Sequence, residues 1–244
     1  MISINICHLY PDLLNLYGDR GNIISMVQRL RWRNVDVRLD HVNLNDQYDW
    51  HQYDIVFIGG GQDFEQGIIL KDLKHGKAEE IRRAVEEDVV FLCICGGYQL
   101  MGRQYRTWDG KEYEFIGALD IHTIGHRKRM IGDFMFRCVE QDCHDLIVTG
   151  FENHSGKTYL GDSVSPLGTV ISGFGNNGED KTEGARYRNV FCSYSHGSLL
   201  PKNPRLCDLI LQKALDRKYP GFLLQELDDS LENQACDFIM KRLS

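Results

Sequence analysis

The chain has 244 residues, is 42% hydrophobic and 26% charged, and carries a formal net charge of −7. That is an ordinary globular composition, long enough for one large domain or two small ones. The acidic balance argues against nucleic-acid binding, which needs clustered Lys and Arg. No apolar stretch approaches bilayer length, and no basic leader precedes an apolar core, so a cytoplasmic protein with reduced thiols is expected.

In chain order, residues 2–9 read as a strand, and 13–32 carry apolar residues at helical spacing with a basic cluster at the end. Residues 35–42 alternate as an edge strand does. Residues 54–58 form a short apolar run closed by three glycines, the pattern of a buried parallel strand. A charged amphipathic helix is predicted over 73–87, followed at 89–94 by the most apolar strand of the chain. From about Phe115 short strand-like runs (133–139, 146–151, 169–171, 190–194) are split by Gly, Asn and Ser loops, and 173–184 is a polar, turn-rich loop. Helices are predicted over 205–217 and 230–242. Strand and helix alternate through the first half, which predicts an α/β fold with a parallel sheet covered on both faces. No linker composition or repeat divides the chain, so one domain over 1–244 is the economical reading and a two-domain split the weaker one.

Ligands of open α/β sheets bind beyond the carboxyl ends of the strands. Three apolar runs end in suggestive residues: FIGGGQD (57–63), FLCICGGYQ (91–99) and FCSYSHGS (191–198). Cys95 stands before Gly96 and Gly97, where a strand turns sharply into a helix. Such a corner projects a side chain past the sheet, and a helix N-terminus favours a thiolate and offers N–H groups to an oxyanion. The competing reading is a packed thiol before a tight turn, and Cys93, inside the strand, fits that reading better. A cysteine nucleophile needs a base. His196 and His154 both follow apolar runs, and the residues alone do not choose between them. The 59–61 glycines could lend N–H groups to an anion. Neither GxGxxG nor GxxxxGK[ST] occurs. The His126-Arg127-Lys128-Arg129 run suits an anionic small ligand or a solvated loop. Cys138, Cys143 and His144 are the nearest approach to a metal set, but their spacing fits no zinc motif, and no metal is expected.

Together CGGYQ, the upstream GGG and the downstream YSHG (194–197) resemble the class I (triad-type) glutamine amidotransferases, and GFENHSG (150–156) resembles their cobyric-acid-synthase-like branch. NLYGDRGNI (15–23), FGNNGEDKTEG (174–184) and SYSHGSLLPKN (193–203) extend the likeness to the glutaminase subunits (GatD type) of lipid II isoglutaminyl synthase. The resemblance implies a flavodoxin-like, mainly parallel central sheet. It implies Cys95 as nucleophile and His196 as general base. Arg129 would bind the substrate's α-carboxylate, Gly60 or Gly61 with Gly96 would supply oxyanion N–H groups, and Gln99 would contact substrate. It further implies a Mur-ligase-like (MurT type) partner that receives ammonia and itself holds ATP, magnesium and lipid II, with no cofactor in this chain. A glutaminase serving a cobalamin-type ligase, or a silent regulatory subunit on the same fold, are the alternatives. Two positions depart from the family. Ser198 stands where many members have the triad Glu, which implies a Cys–His dyad, and Cys93 stands where relatives commonly have Gly.

Overall fold

A computed structural model describes residues 1–243 without the side chains of Asp63 and Phe64. The Asp63 side chain of the 57–63 segment and Ser244, the last residue of the expected domain, thus lie outside the described residues. The first half comprises β1 (Ser3–Leu9), α1 (Arg20–Arg31), β2 (Asp36–Val42), β3 (Ile55–Ile58), α2 (Asp63–Asp72), α3 (Ala78–Glu86), β4 (Val90–Ile94) and the short α4 (Gly96–Leu100). The second comprises β5 (Gln104–Arg106), β6 (Glu112–Glu114), β7 (Ile121–Cys138), β8 (Ile147–Leu160), β9 (Gly168–Ser172), β10 (Thr182–Glu183), β11 (Ala185–Tyr187), β12 (Val190–Ser193), α5 (Leu199–Lys202), α6 (Pro204–Lys218) and α7 (Ser230–Leu243).

The central sheet runs β2-β1-β3-β4-β12-β11, parallel throughout except for the antiparallel edge strand β11. The strand order reverses at β1. Right-handed crossovers therefore put α1 on one face and α2 with α3 on the other, and leave a crevice at the carboxyl edge between β1 and β3. Every residue of β3 and β4 is buried, and each large apolar side chain among them contributes roughly 1.5–3 kcal/mol of transfer free energy. Covering on both faces explains why these runs are continuously apolar rather than alternating.

The structure departs from the sequence reading in three places. The helix expected over 13–32 forms only from Arg20, because the backbone leaves helical geometry at Tyr17 (φ +52°) and Gly18 (φ +82°). The helix expected over 73–87 starts at Ala78, after a wide turn in which Gly76 has φ +113°, and α2 precedes it without any clear apolar face. Third, the runs at 133–139, 146–151 and 169–171 are pieces of a separate sheet, β10-β9-β7-β5-β6 with β8 beside β7, while 190–194 supplies β12 of the central sheet. It is mainly antiparallel; β5–β7 is its parallel pair. Runs 133–139 and 146–151 belong to two long strands, β7 and β8. Gly150 marks a close approach rather than a loop: a Cβ there would lie 1.8 Å from Ser195 Oγ.

Candidate active site

Cys95 closes β4 with φ +49° and ψ −102°, a sharply strained conformation for a residue with a side chain. Such strain costs on the order of 1–3 kcal/mol and persists only where the surroundings enforce it. The enforcement is visible. Cys95 N–H donates to Ser193 O of β12, and Gln99 N–H donates back to Cys95 O as α4 begins. Gly96 is required by close approach, since a Cβ there would sit 2.7 Å from Gly61 N. The corner thus forms because β4, β12 and the 59–61 loop meet with no room for side chains.

His196 arrives from the adjacent strand end. Its N–H donates to Phe151 O (2.7 Å), which pins the segment after β12 to β8. The imidazole is fully buried. Its Nδ1 lies 3.2 Å from Asp19 Oδ1, and its Nε2 has no regular hydrogen bond. Burial alone would depress this imidazole. The Cys95 sulfur, followed by the Asp19 carboxylate, outweighs burial and raises His196 from 6.5 to about 10. With Nδ1 facing Asp19, Nε2 is the nitrogen left to act on Cys95, the larger source of that rise. Cysteine, imidazole and carboxylate form a line, the arrangement in which an acid orients a base toward a nucleophile.

Asp19 is the residue the sequence reading missed; a dyad was expected because Ser198 occupies the usual acid position. The carboxylate that faces His196 is that of Asp19, from the other end of the chain. Asp19 precedes α1, where its carboxylate would ordinarily cap the helix, yet it makes no cap bond. Its second oxygen accepts from Gly60 N–H at 2.7 Å. Ser198 serves differently, since its hydroxyl donates to Gly18 O at 2.5 Å and clasps the loop that carries Asp19. The only sequence signal was an acid at a helix start within the NLYGDRGN segment.

Of the remaining candidates, Gly61, Gln99 and Arg129 line one cleft of about 350 Å³, together with Cys95, Tyr17 and Asn153 among others. Gly60 N–H is spent on Asp19, which corrects its expected role as an oxyanion donor. Gly61 and Gly96 N–H groups are bonded to nothing among the described residues. Arg129 reaches the cleft because of an irregularity in β7, where residues 126–129 oppose the single Ser155 of β8 and leave the ladder. Arg127 of the same run lies over the Trp108 ring instead (4.4 Å). Gln99 borders the cleft with its amide held at both ends, accepting from Gln66 Nε2 (2.8 Å) and donating to Tyr194 Oη (3.1 Å).

The rivals resolve on geometry. His154 lies inside β8 rather than at a strand end, stacked on Tyr194 (3.6 Å). Its Nδ1 faces Gly156 O (2.8 Å) and its Nε2 faces Glu152 (3.4 Å), so neither nitrogen is open to Cys95. Cys93 is fully buried, and its sulfur meets that of its register partner Cys192 on β12. The 173–184 loop is an internal clamp. Asn176 accepts from Tyr98 Oη, and Glu183 accepts from Ser193 Oγ and Tyr194 N–H. Burial pushes the Glu183 carboxyl up to about 8.

Residues 5–204 match the family model of the CobB/CobQ-like glutamine amidotransferase domain. The chain belongs to this family. This amidotransferase is 42% identical over 242 residues to the GatD subunit of lipid II isoglutaminyl synthase (glutamine-hydrolyzing) from Staphylococcus aureus strain N315, covering 99% of this chain and 97% of that one. It is 43% identical over 237 residues to the GatD subunit from Streptococcus pneumoniae, covering 96% and 90%. A probable cobyric acid synthase from Methanothermobacter thermautotrophicus shares 31% identity over 74% of this chain but only 39% of its own length. Among solved structures, a glutamine amidotransferase from Thermotoga maritima superposes with a TM-score of 0.54 at 16% identity, covering 98% of this amidotransferase and 97% of that chain. Among the described residues, no helix is long and apolar enough to cross a membrane.

Proposed function

We propose that the chain is the glutaminase subunit of a lipid II-amidating synthase. The observation that carries this reading is the set Cys95–His196–Asp19, with Cys95 lining a small polar cleft, in a chain 42–43% identical to two GatD subunits. His196 Nε2 takes the Cys95 thiol proton as the sulfur attacks the side-chain amide carbon of L-glutamine. The developing oxyanion lies against the Gly61 and Gly96 N–H groups. His196 Nε2 gives its proton to the departing nitrogen, ammonia leaves, and a glutamyl thioester remains. Water, relieved of a proton by the same imidazole, hydrolyses the thioester to glutamate and frees Cys95. Asp19 holds the ring in the tautomer and orientation that both steps need. Arg129 grips the α-carboxylate of the substrate, a planar anion suited to a guanidinium.

Ammonia passes to a Mur-ligase-like partner (MurT type), which activates the D-glutamate carboxyl group of lipid II with ATP and magnesium to give D-isoglutamine. The cobyric acid synthase relatives support a second reading, a glutaminase serving a cobalamin-type ligase. The test is glutamate release with and without the co-purified Mur-ligase-like subunit, and transfer of label from amide-labelled glutamine. Partner-dependent release with label in lipid II supports the first reading. Label only in a corrinoid carboxamide supports the second, and no glutamate release in any pairing removes both.

A further inference from the structure

We propose that Tyr17 is a positioning residue that joins the carboxylate grip of the cleft to the catalytic imidazole. This deepens the glutaminase reading and rests on it. Tyr17 is half exposed at the mouth of the cleft, and its ring lies edge-on to His196 with centroids 4.9 Å apart at 73°. Its hydroxyl accepts a hydrogen bond from Asn153 Nδ2 (2.9 Å). Asn153 in turn holds Arg129 twice: its side-chain oxygen accepts from Nε (2.8 Å) and its backbone oxygen from Nη2 (3.0 Å). A continuous chain, His196–Tyr17–Asn153–Arg129, therefore crosses the cleft that Cys95 lines.

The contacts on Arg129 have a direction. Asn153 occupies the Nε/Nη2 edge of the guanidinium, and the Nη1/Nη2 edge is left for a carboxylate. Arg129 is exposed, and a free arginine side chain loses about 2 kcal/mol of rotamer freedom when it is fixed. Holding it before the substrate arrives removes part of that loss, which is how a preorganised site gains affinity.

The backbone around Tyr17 carries the second observation. A tyrosine at φ +52°, ψ +29° is strained, and the loop is held there from both sides. Leu16 N–H donates to Gly60 O (3.2 Å), and Ser198 Oγ–H to Gly18 O (2.5 Å). The same short loop delivers Asp19 behind His196, so one segment sets the imidazole from behind through the carboxylate and covers it in front through the tyrosine ring.

The experiment measures calorimetric binding of two probes to the full chain with Cys95→Ala, which stops turnover. The probes are L-glutamine and its α-carboxamide, which lacks the carboxylate. Tyr17→Phe keeps the ring and removes the Asn153 acceptor. It is expected to weaken L-glutamine roughly fivefold, the net worth of one hydrogen bond, and to leave the carboxamide unchanged. Asn153→Ala is expected to weaken L-glutamine further, with the double variant no weaker than Asn153→Ala alone, because both act along one chain. Thermal melting of each variant separates these effects from unfolding. Unchanged glutamine affinity in Tyr17→Phe, or equal losses for both probes, overturns the proposal while leaving the glutaminase reading standing. Failure of the Cys95→Ala chain itself to bind L-glutamine removes both.

Discussion

Replacing Asp19 with Asn removes one charge and keeps the size of the side chain. The rise of His196 from 6.5 to about 10 corresponds to roughly 5 kcal/mol in favour of the imidazolium. Burial opposes that rise, so the attraction from Cys95 and Asp19 together exceeds it, with Cys95 the larger source. A share of about 2 kcal/mol for Asp19 gives roughly a 30-fold loss in any step whose transition state carries an imidazolium. An amide at position 19 also faces two demands. It must accept from Gly60 N–H and from His196 Nδ1–H, yet it offers one oxygen. Loss of ring orientation adds to the loss of charge, and the combined expectation is a kcat reduced about 100- to 1000-fold with a smaller change in KM.

The assay is enzyme-coupled glutamate release, with the partner subunit present, from pH 5 to 11. The alkaline limb follows deprotonation of the imidazolium, so it is expected near pH 10 in the parent chain and at lower pH in Asp19→Asn. Stability shifts in the same sense. A pKa raised on folding contributes stability that is complete below pH 6.5 and disappears as pH rises through about 10. Asp19→Asn should flatten that decline. A variant with kcat within about threefold of the parent and an unmoved alkaline limb would refute the role of Asp19.

Three further outcomes are expected. Gly60→Ala places a Cβ 2.5 Å from His196 Cε1 and 3.1 Å from Asp19 Oδ2; it should lower kcat about 100-fold or more by displacing the ring, at a stability cost of about 1–3 kcal/mol seen by denaturant titration. Arg129→Ala should raise KM for glutamine roughly 10- to 100-fold, the worth of a charge-assisted pair, and unchanged KM and kcat in steady-state kinetics would remove it from the site. The Glu183 carboxyl, raised from 4.5 to about 8 by burial, contributes stability that is complete below pH 4.5 and lost as pH rises through about 8. Glu183→Gln keeps the acceptor for Ser193 and Tyr194, so its melting temperature should fall less over that window than the parent's.

The parts of the fold that were legible in sequence are those governed by local pattern. β3 and β4 are continuously apolar because both faces are covered, and glycines follow each where the chain leaves the sheet. The corner at Cys95 was legible because it needs the small residues that follow it, while the family resemblance was what named its sulfur the nucleophile. The second sheet was hidden, since β7 and β8 are long strands whose glycines and basic run resemble loop residues. Asp19 was hidden for a different reason. Its partner His196 is 177 positions away, and nothing local distinguishes an acid that orients a histidine from one that caps a helix. The same holds for Gly60, whose N–H is taken by that acid. The family resemblance singled out Arg129; from the residues alone it was one of four consecutive basic residues, and the irregularity in β7 decides that it lines the cleft while Arg127 packs on Trp108.

The most direct test of the central claim is covalent capture. The purified chain, with its partner subunit, is incubated with a glutamine analogue carrying an electrophilic ketone at the amide position, and the labelled peptide is mapped by mass spectrometry. One label is expected, on Cys95, suppressed by excess L-glutamine and strongly slowed in Asp19→Asn. A label on Cys93 or another of the eight cysteines, or labelling of Cys95 that glutamine does not suppress, would contradict it.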